Sequence, residues 1–326
     1  MIIVGVDVSK STLDLFFKPT DTSVLVSNDV KGFKQWFKIL KALMNQDVKL
    51  MVIMEHTGKY SLRFESFLQS RSVEYCKIAA LEIKRSQGIK RGKDDKIDAQ
   101  RIAEYGWLRR EILTADQYPE QSLITLGDLL SLRAKLVRDK SGYEARLKEM
   151  RATKTNATCR SLITIQQKTI AFLTQQIGEV DQQIKALIAS EKTMKKTFDL
   201  LITIKGIGWV IAAHVIRSTR NFSCFSNARK FNCYVGIAPF KNESGTSKKS
   251  KSRVSHLANK TIKSLLDRGA SSAIQHDQEM KAYYERRVKE GKSKRSTINI
   301  VRAKLVARMF AVIKRQTPYQ PLTIAA

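Results

Sequence analysis

The run Ile2-Ile3-Val4-Gly5-Val6-Asp7-Val8 places a carboxylate inside a β-branched segment. Val and Ile favour a pleated strand, whereas Asp is depleted from strand interiors, so Asp7 needs a reason to be there. Working outward, residues 13–17 form a second apolar run after the turn-prone Ser9-Lys10-Ser11, and residues 23–27 a third. Within residues 32–44, the positions Phe33, Trp36, Phe37, Leu40 and Leu43 have helical spacing. Residues 49–54 (KLMVIM) predict a buried strand ending at Glu55; residues 61–68 predict a helix, 73–78 a strand and 95–108 a helix. Three strands, a helix, then alternating strand and helix predict a mixed α/β sheet.

The chain has 326 residues with 59 Lys+Arg against 30 Asp+Glu, a formal net charge of +29. That length predicts more than one domain. So large a charge is self-repelling and is best tolerated when the partner is a polyanion. Its distribution is uneven: +7 over residues 1–110, +2 over 111–190 and +20 over 191–326. Nucleic acid is therefore the expected partner, gripped most strongly by the last segment. Cys76, Cys159, Cys224 and Cys233 form no CxxC pair, which argues against a secreted disulfide scaffold and a zinc site. The start lacks the basic flank of a signal peptide, and no apolar run approaches a membrane span. A cytoplasmic, nucleoid-associated location without a membrane partner is expected.

In residues 116–192, Ile163, Ile170, Leu173, Ile177, Val180, Ile184 and Leu187 follow a three–four spacing broken by Gln166. Leu129, Leu136, Tyr143 and Met150 lie seven apart before them, supported by Leu132 and Leu147. This predicts a central coiled coil folded as an antiparallel hairpin, with the polar stretch 151–160 turning the chain. Residues 193–326 predict a mainly helical domain, with helices over 196–204, 209–218, 227–235, 259–273, 280–290 and 297–315. The polar stretch 240–255 has no apolar face and reads as a loop. The domains expected are thus 1–115, 116–192 and 193–326.

Three constellations could carry chemistry. Asp7, Glu55, Asp95 and Asp98 form an acidic set; Asp95 and Asp98, three apart at a helix start, share a face. If the strands of Asp7 and Glu55 are neighbours, four hard oxygen donors converge, a set suited to Mg²⁺ and phosphodiester chemistry. Individually, Asp95 could simply favour a helix N-terminus and Glu55 could be a strand-end surface residue. Lys205-Gly206-Ile207-Gly208 resembles a helix-hairpin-helix turn able to hold a phosphate, and equally resembles a plain helix connection. The third is Ser244 with Lys248, Lys249, Lys251 and Arg253, a hydroxyl among cations. Five serines share this stretch, so composition does not choose a nucleophile, and a basic loop that merely grips phosphates fits it as well. The four histidines show no triad or ligand spacing.

Three motifs in order, Gly5-Val6-Asp7-Val8-Ser9-Lys10, Glu55-His56-Thr57-Gly58-Lys59-Tyr60 and Asp95-Lys96-Ile97-Asp98-Ala99-Gln100, resemble those of the DEDD insertion-sequence transposases, the IS-one-ten family related to the Piv DNA invertases. Gly206-Ile207-Gly208, Tyr234-Val235-Gly236-Ile237-Ala238-Pro239 and Glu243-Ser244-Gly245 resemble that family's second half. Lys205 stands where a Pro often precedes the Gly-Ile-Gly, and His56 where a small residue is common. The resemblance implies an N-terminal RuvC-like domain of the RNase H fold whose Asp7, Glu55, Asp95 and Asp98 bind Mg²⁺. It implies Ser244 as a nucleophile forming a covalent phosphoserine link to DNA. It further implies homodimers pairing into homotetramers, with the carboxylates of one subunit serving the serine of another, and a bridge RNA that pairs with donor and target DNA. The expected function is an RNA-guided, serine-type DNA recombinase. A RuvC-like junction nuclease using water is the alternative enzyme, and an architectural protein with a degenerate acidic set the non-enzymatic one.

Overall fold

The computed structural model describes residues 1–43, 48–56, 58–88, 95–153, 157–244 and 248–321. The chain divides into two compact units, Met1–Tyr118 and Pro119–Ala326.

In the first unit, β1 (Ile2–Val8), β2 (Thr12–Lys18) and β3 (Thr22–Ser27) form an antiparallel meander. β4 (Leu50–Glu55) and β5 (Glu74–Ile78) run parallel to β1, giving the order β3-β2-β1-β4-β5. Alternation along each strand divides the side chains between two cores. Val4, Val6, Val52 and Met54 pack with Phe33, Trp36 and Leu40 of α1 (Val30–Leu43) and Phe64 and Leu68 of α2 (Leu62–Ser70). Ile3, Met51 and Ile53 face the other side, with Ile83 of α3 (Ala80–Ser86) and Ile102 and Tyr105 of α4 (Asp95–Leu108). Sequence reading missed α3, which is short and buries just Ile83. The Glu65 carboxylate is fully buried and accepts from Ser61 Oγ (2.7 Å), Tyr75 Oη (3.3 Å) and Lys77 Nζ (2.8 Å). Three donors offset the loss of water that an isolated buried charge could not bear.

The second unit begins with α5 (Gln121–Thr153) and α6 (Ala157–Ser190). They lie antiparallel: Arg133 Nε meets Asp181 Oδ1 at 2.5 Å, and Gln166 Nε2 meets Met150 Sδ at 2.7 Å. Gln166, the polar break in the apolar spacing, is thus buried against a neighbour on α5. The expected seam is only partly observed. Leu147, Met150, Leu173, Val180 and Ile184 are buried, but Leu132 and Tyr143 are 46% and 40% exposed. A 3.6-residue helix rotates by about 20° per heptad relative to a seven-residue spacing, so positions seven apart leave the contact face. The helices also extend into the predicted turn: α5 runs to Thr153 and α6 starts at Ala157, and residues 154–156 lie outside the described residues.

Leu123, Leu126 and Leu130 from α5, with Val180, Ile184 and Ile188 from α6, enter one core with the helices that follow. These are α7 (Lys192–Ile202), α8 (Trp209–Thr219), α9 (Ala228–Val235), α10 (Lys260–His276), α11 (Gln278–Lys289) and α12 (Lys294–Arg315). The stretch expected as a loop is a hairpin of β6 (Pro239–Ser244) and β7 (Lys248–Val254). Backbone N–H and C=O groups pair along a ladder whatever the side chains, so a strand pair needs no apolar face to form. Among the described residues, no helix is long and apolar enough to cross a membrane.

His214 on α8 is mostly buried; burial, with Arg133 nearby, pushes its imidazole down to about 4. Between pH 6.5 and 4 the unfolded chain therefore binds a proton that the folded chain refuses, so stability falls as pH falls through that window. The loss should approach roughly 3 kcal/mol. Urea unfolding at stepped pH should show this acid sensitivity, and His214→Gln should flatten it.

Candidate functional site

In the first unit, the parallel ladder pairs Val6 with Met54, so Asp7 and Glu55 follow at the adjacent carboxyl ends of β1 and β4. Strand alternation puts Asp7 on the face of Ile3 and Gly5, and Glu55 on that of Met51 and Ile53. That face is the one α4 covers. The helix lies directly on the sheet: a Cβ on Gly5 would come within 2.3 Å of Ala103 N and 2.4 Å of Ala99 O. Farther along, a Cβ on Gly106 would meet Ile53 Cγ1 at 2.6 Å and Ile3 Cγ2 at 2.9 Å. From Gly106 back to Ala99, α4 thus tracks from the level of Ile3 to that of Gly5. Its opening turn, with Asp95 and Asp98, continues toward the level of Asp7 and Glu55. Asp98 Oδ1 accepts from Arg101 Nη1 at 2.8 Å. Asp95 opens the helix backbone, and its side chain lies outside the described set.

Sequence reading missed two residues here. Asp14 sits opposite Asp7 in the β1–β2 ladder, on the same face as Phe16, adding another carboxylate. Its signal was an acid in the alternating run Thr-Leu-Asp-Leu-Phe-Phe. Asn28 Nδ2 donates to Ser9 O (2.8 Å) and Tyr60 O (3.2 Å), tying together the loops that follow β1 and β4. The topology thus gathers the elements that bear the acids. At the level of side chains, no three Asp, Glu, His or Cys residues among those described are grouped to hold a metal ion.

In the second unit, Lys205-Gly206-Ile207-Gly208 joins α7 to α8, with Gly208 as the N-cap. Gly206 has φ +92°, and a Cβ there would lie 2.6 Å from Gly269 O of α10, so this turn requires glycine. Beside it is a cavity of about 380 Å³ lined by Lys205, Gly206, Gly208, Arg268 and Ser272. Ser244 ends β6 opposite Lys248, with Glu243 opposite Lys249. Arg253 is exposed and opposite Phe240; the side chains of Ser244, Lys248, Lys249 and Lys251 lie outside the described set.

The hairpin's root is held from elsewhere in the chain. Lys263 Nζ donates to Gly236 O (2.7 Å), Asn299 Nδ2 to Ile237 O (2.8 Å) and Asn259 Nδ2 to Tyr234 Oη (2.9 Å). Burial, with Arg302 nearby, lowers the Lys263 ammonium below the usual lysine range. These anchors were not legible because they lie on α10, its N-cap and α12, remote in sequence from the hairpin.

The two halves of the chain carry matching family signatures. A DEDD-type profile described as "Transposase" covers residues 4–151, and the "Transposase IS116/IS110/IS902 family" profile covers residues 198–285. The chain belongs to this transposase family, whose members are enzymes that cleave and rejoin DNA. It is also 25% identical over 322 residues to the pilin gene-inverting proteins of Moraxella bovis and Moraxella lacunata, spanning 97% of this chain and 97% of each relative. The DEDD transposase domain carries the RuvC-like fold and implies dependence on a divalent metal.

The Gly5 contact generates a direct test. Gly5→Ala forces a methyl group against the α4 backbone and should cost about 1–3 kcal/mol in denaturant unfolding. Unchanged stability would mean that α4 is not seated on β1 in this way.

Proposed function

We propose that the protein is a DNA recombinase of an insertion sequence that cuts DNA with Ser244 as nucleophile, assisted by a divalent cation on the acidic set. The observation that carries this reading is the placement of Asp7, Glu55 and the opening turn of α4 at one end of one sheet face. Carboxylates drawn together there would repel one another, and a hard divalent cation would relieve that repulsion. Their all-oxygen chemistry fits Mg²⁺ better than a softer metal. Asp7, Glu55, Asp95 and Asp98 would hold it, and once bound it would supply charge neutralisation at a phosphate and a more acidic attacking oxygen.

Ser244 Oγ attacks a DNA phosphorus, losing its proton as the O–P bond forms. The bond to the 3′ oxygen breaks, and that oxygen takes up a proton to leave a 3′-hydroxyl. The phosphoserine keeps the energy of the broken diester, so a different 3′-hydroxyl can reverse the attack and rejoin the strands. The cationic side chains of Lys248, Lys249, Lys251 and Arg253 complement the charge that develops on the phosphate. Lys205, Gly206 and Gly208 fit a sequence-independent backbone contact.

We further propose that the enzyme works as a dimer pairing into a tetramer, with α5 and α6 forming a coiled-coil contact between copies. Ile165 and Phe172, seven apart on α6, are 56% and 60% exposed, which favours a partner surface there. Guidance by a bridge RNA accords with the excess of +29, since RNA and several DNA strands must be held together. The domain layout 1–115, 116–192 and 193–326 belongs to the same reading. A RuvC-like junction nuclease remains the second reading, favoured by the DEDD signature itself.

The deciding experiment looks for protein covalently attached to DNA after a strand-cleavage reaction. Wild-type protein should give the adduct, and Ser244→Ala, folded as judged by circular dichroism, should give none. Cleavage without any adduct, persisting in Ser244→Ala, would establish water as the nucleophile. Separately, Asp7→Asn should lower divalent-metal-dependent cleavage by at least about a hundredfold, the scale of losing one electrostatic stabiliser. Retained activity would remove Asp7 from the site.

A further inference from the structure

The strongest feature outside the proposed site is the turn between α11 and α12. Residues 286–295 hold Arg286, Arg287, Lys289, Lys292, Lys294 and Arg295 against one acid, Glu290. That acid is already taken, by Arg287 at 2.6 Å and Arg286 at 3.9 Å. Residues 289–296 are all exposed, so these cations do not serve as caps over apolar surface. The turn itself is ordered: Gly291 N donates to Val288 O (3.0 Å) and Lys292 N to Arg287 O (3.1 Å).

Helix electrostatics make the arrangement costly. Cations in the last turn of α11 suit its negative end. Lys294 and Arg295, however, occupy the first turn of the 22-residue α12, which has no acidic residue there. Positive side chains at the positive end of a helix repel it. The N-terminus of α12 and six cations, offset in part by the negative end of α11 and by Glu290, therefore build one focus of positive potential, stable in company with an anion. Its position matters too. Asn299, one to two turns into α12, donates to Ile237 O at the root of the Ser244 hairpin. The basic turn is thus linked, through α12, to the segment that leads into the strand of Ser244. It also lies beyond the family signature, which ends at residue 285.

We infer that the α11–α12 turn is a phosphodiester-backbone clamp, holding the nucleic acid that flanks the phosphate presented to the Ser244 hairpin. The contact is assigned to backbone charge because exposed cations beside a helix N-terminus suit phosphate oxygens of any sequence. This rests on the nucleic-acid recombinase reading, but it concerns binding and not the nucleophile.

The test is the salt dependence of binding by full-length protein. The triple variant K292Q/K294Q/R295Q is compared with wild type and with K31Q/K34Q/K38Q, an equal charge loss from exposed positions on α1. Each is titrated against a labelled DNA duplex and, in a second arm, a structured RNA. Loss of three phosphate contacts should make the slope of log K against log salt shallower by about 2.7 for duplex DNA. The α1 control should leave the slope at its wild-type value. A drop confined to RNA would assign the clamp to RNA backbone. Wild-type slopes with both ligands, or equal drops in both triple variants, would overturn the clamp. Repeating the titration in Ser244→Ala keeps the two questions apart: failure to form an adduct would sink the nucleophile, while a shallower slope would still uphold the clamp.

Discussion

The contact on which the first unit depends is the missing side chain of Gly5. Its absence lets the backbone of α4 settle onto β1 at Ala99 and Ala103, closer than any Cβ would permit. Ala99 and Ala103, one helical turn apart and both buried, present small side chains to the same contact. Because the helix is pinned there and again at Gly106, its direction across the sheet is fixed. That direction carries the opening turn toward the ends of β1 and β4. A bulkier residue at position 5 would lift the helix and shift its opening turn relative to the ends of β1 and β4. The acidic end of the sheet is therefore a consequence of packing, set by a glycine that bears no chemistry.

A comparable logic governs the second unit. Glycine against glycine, Gly206 on Gly269, brings the α7–α8 turn onto the backbone of α10. The same α10, together with α12, reaches the root of the β6–β7 hairpin through Lys263 and Asn299. The hairpin has no apolar face of its own, and a lone pair of strands is marginal in water. Its orientation is therefore borrowed from the helical core beneath it. The +20 of the last 136 residues can be exposed because that core is continuous and apolar, running from Leu123 to Val312.

Much of the first unit was legible because local signals and tertiary packing agree. The β-branched run of β1, the apolar run of β4 and the spacing of Phe33, Trp36 and Leu40 each appear where their period predicts. Local signals failed where pairing or distance decides. The 240–255 stretch looked like a loop because a polar hairpin is held by backbone bonds, which leave no trace in side-chain pattern. Leu132 and Tyr143 looked like seam residues because seven-residue spacing says nothing about how far two helices stay in register. Asn28, Lys263 and Asn299 carried no signal, since each acts on carbonyls far away in the chain.

By itself, then, the sequence determined the charge that calls for a polyanion, the succession of strands and helices, and the ordered acidic and serine motifs that mark a transposase. These are properties of composition and short-range order. The tertiary structure decided which sheet face the acids share, that Asp14 stands across from Asp7, and what anchors the hairpin of Ser244. Those outcomes depend on ladder register and on backbone approaches at Gly5 and Gly206, which come into being when distant segments pack together.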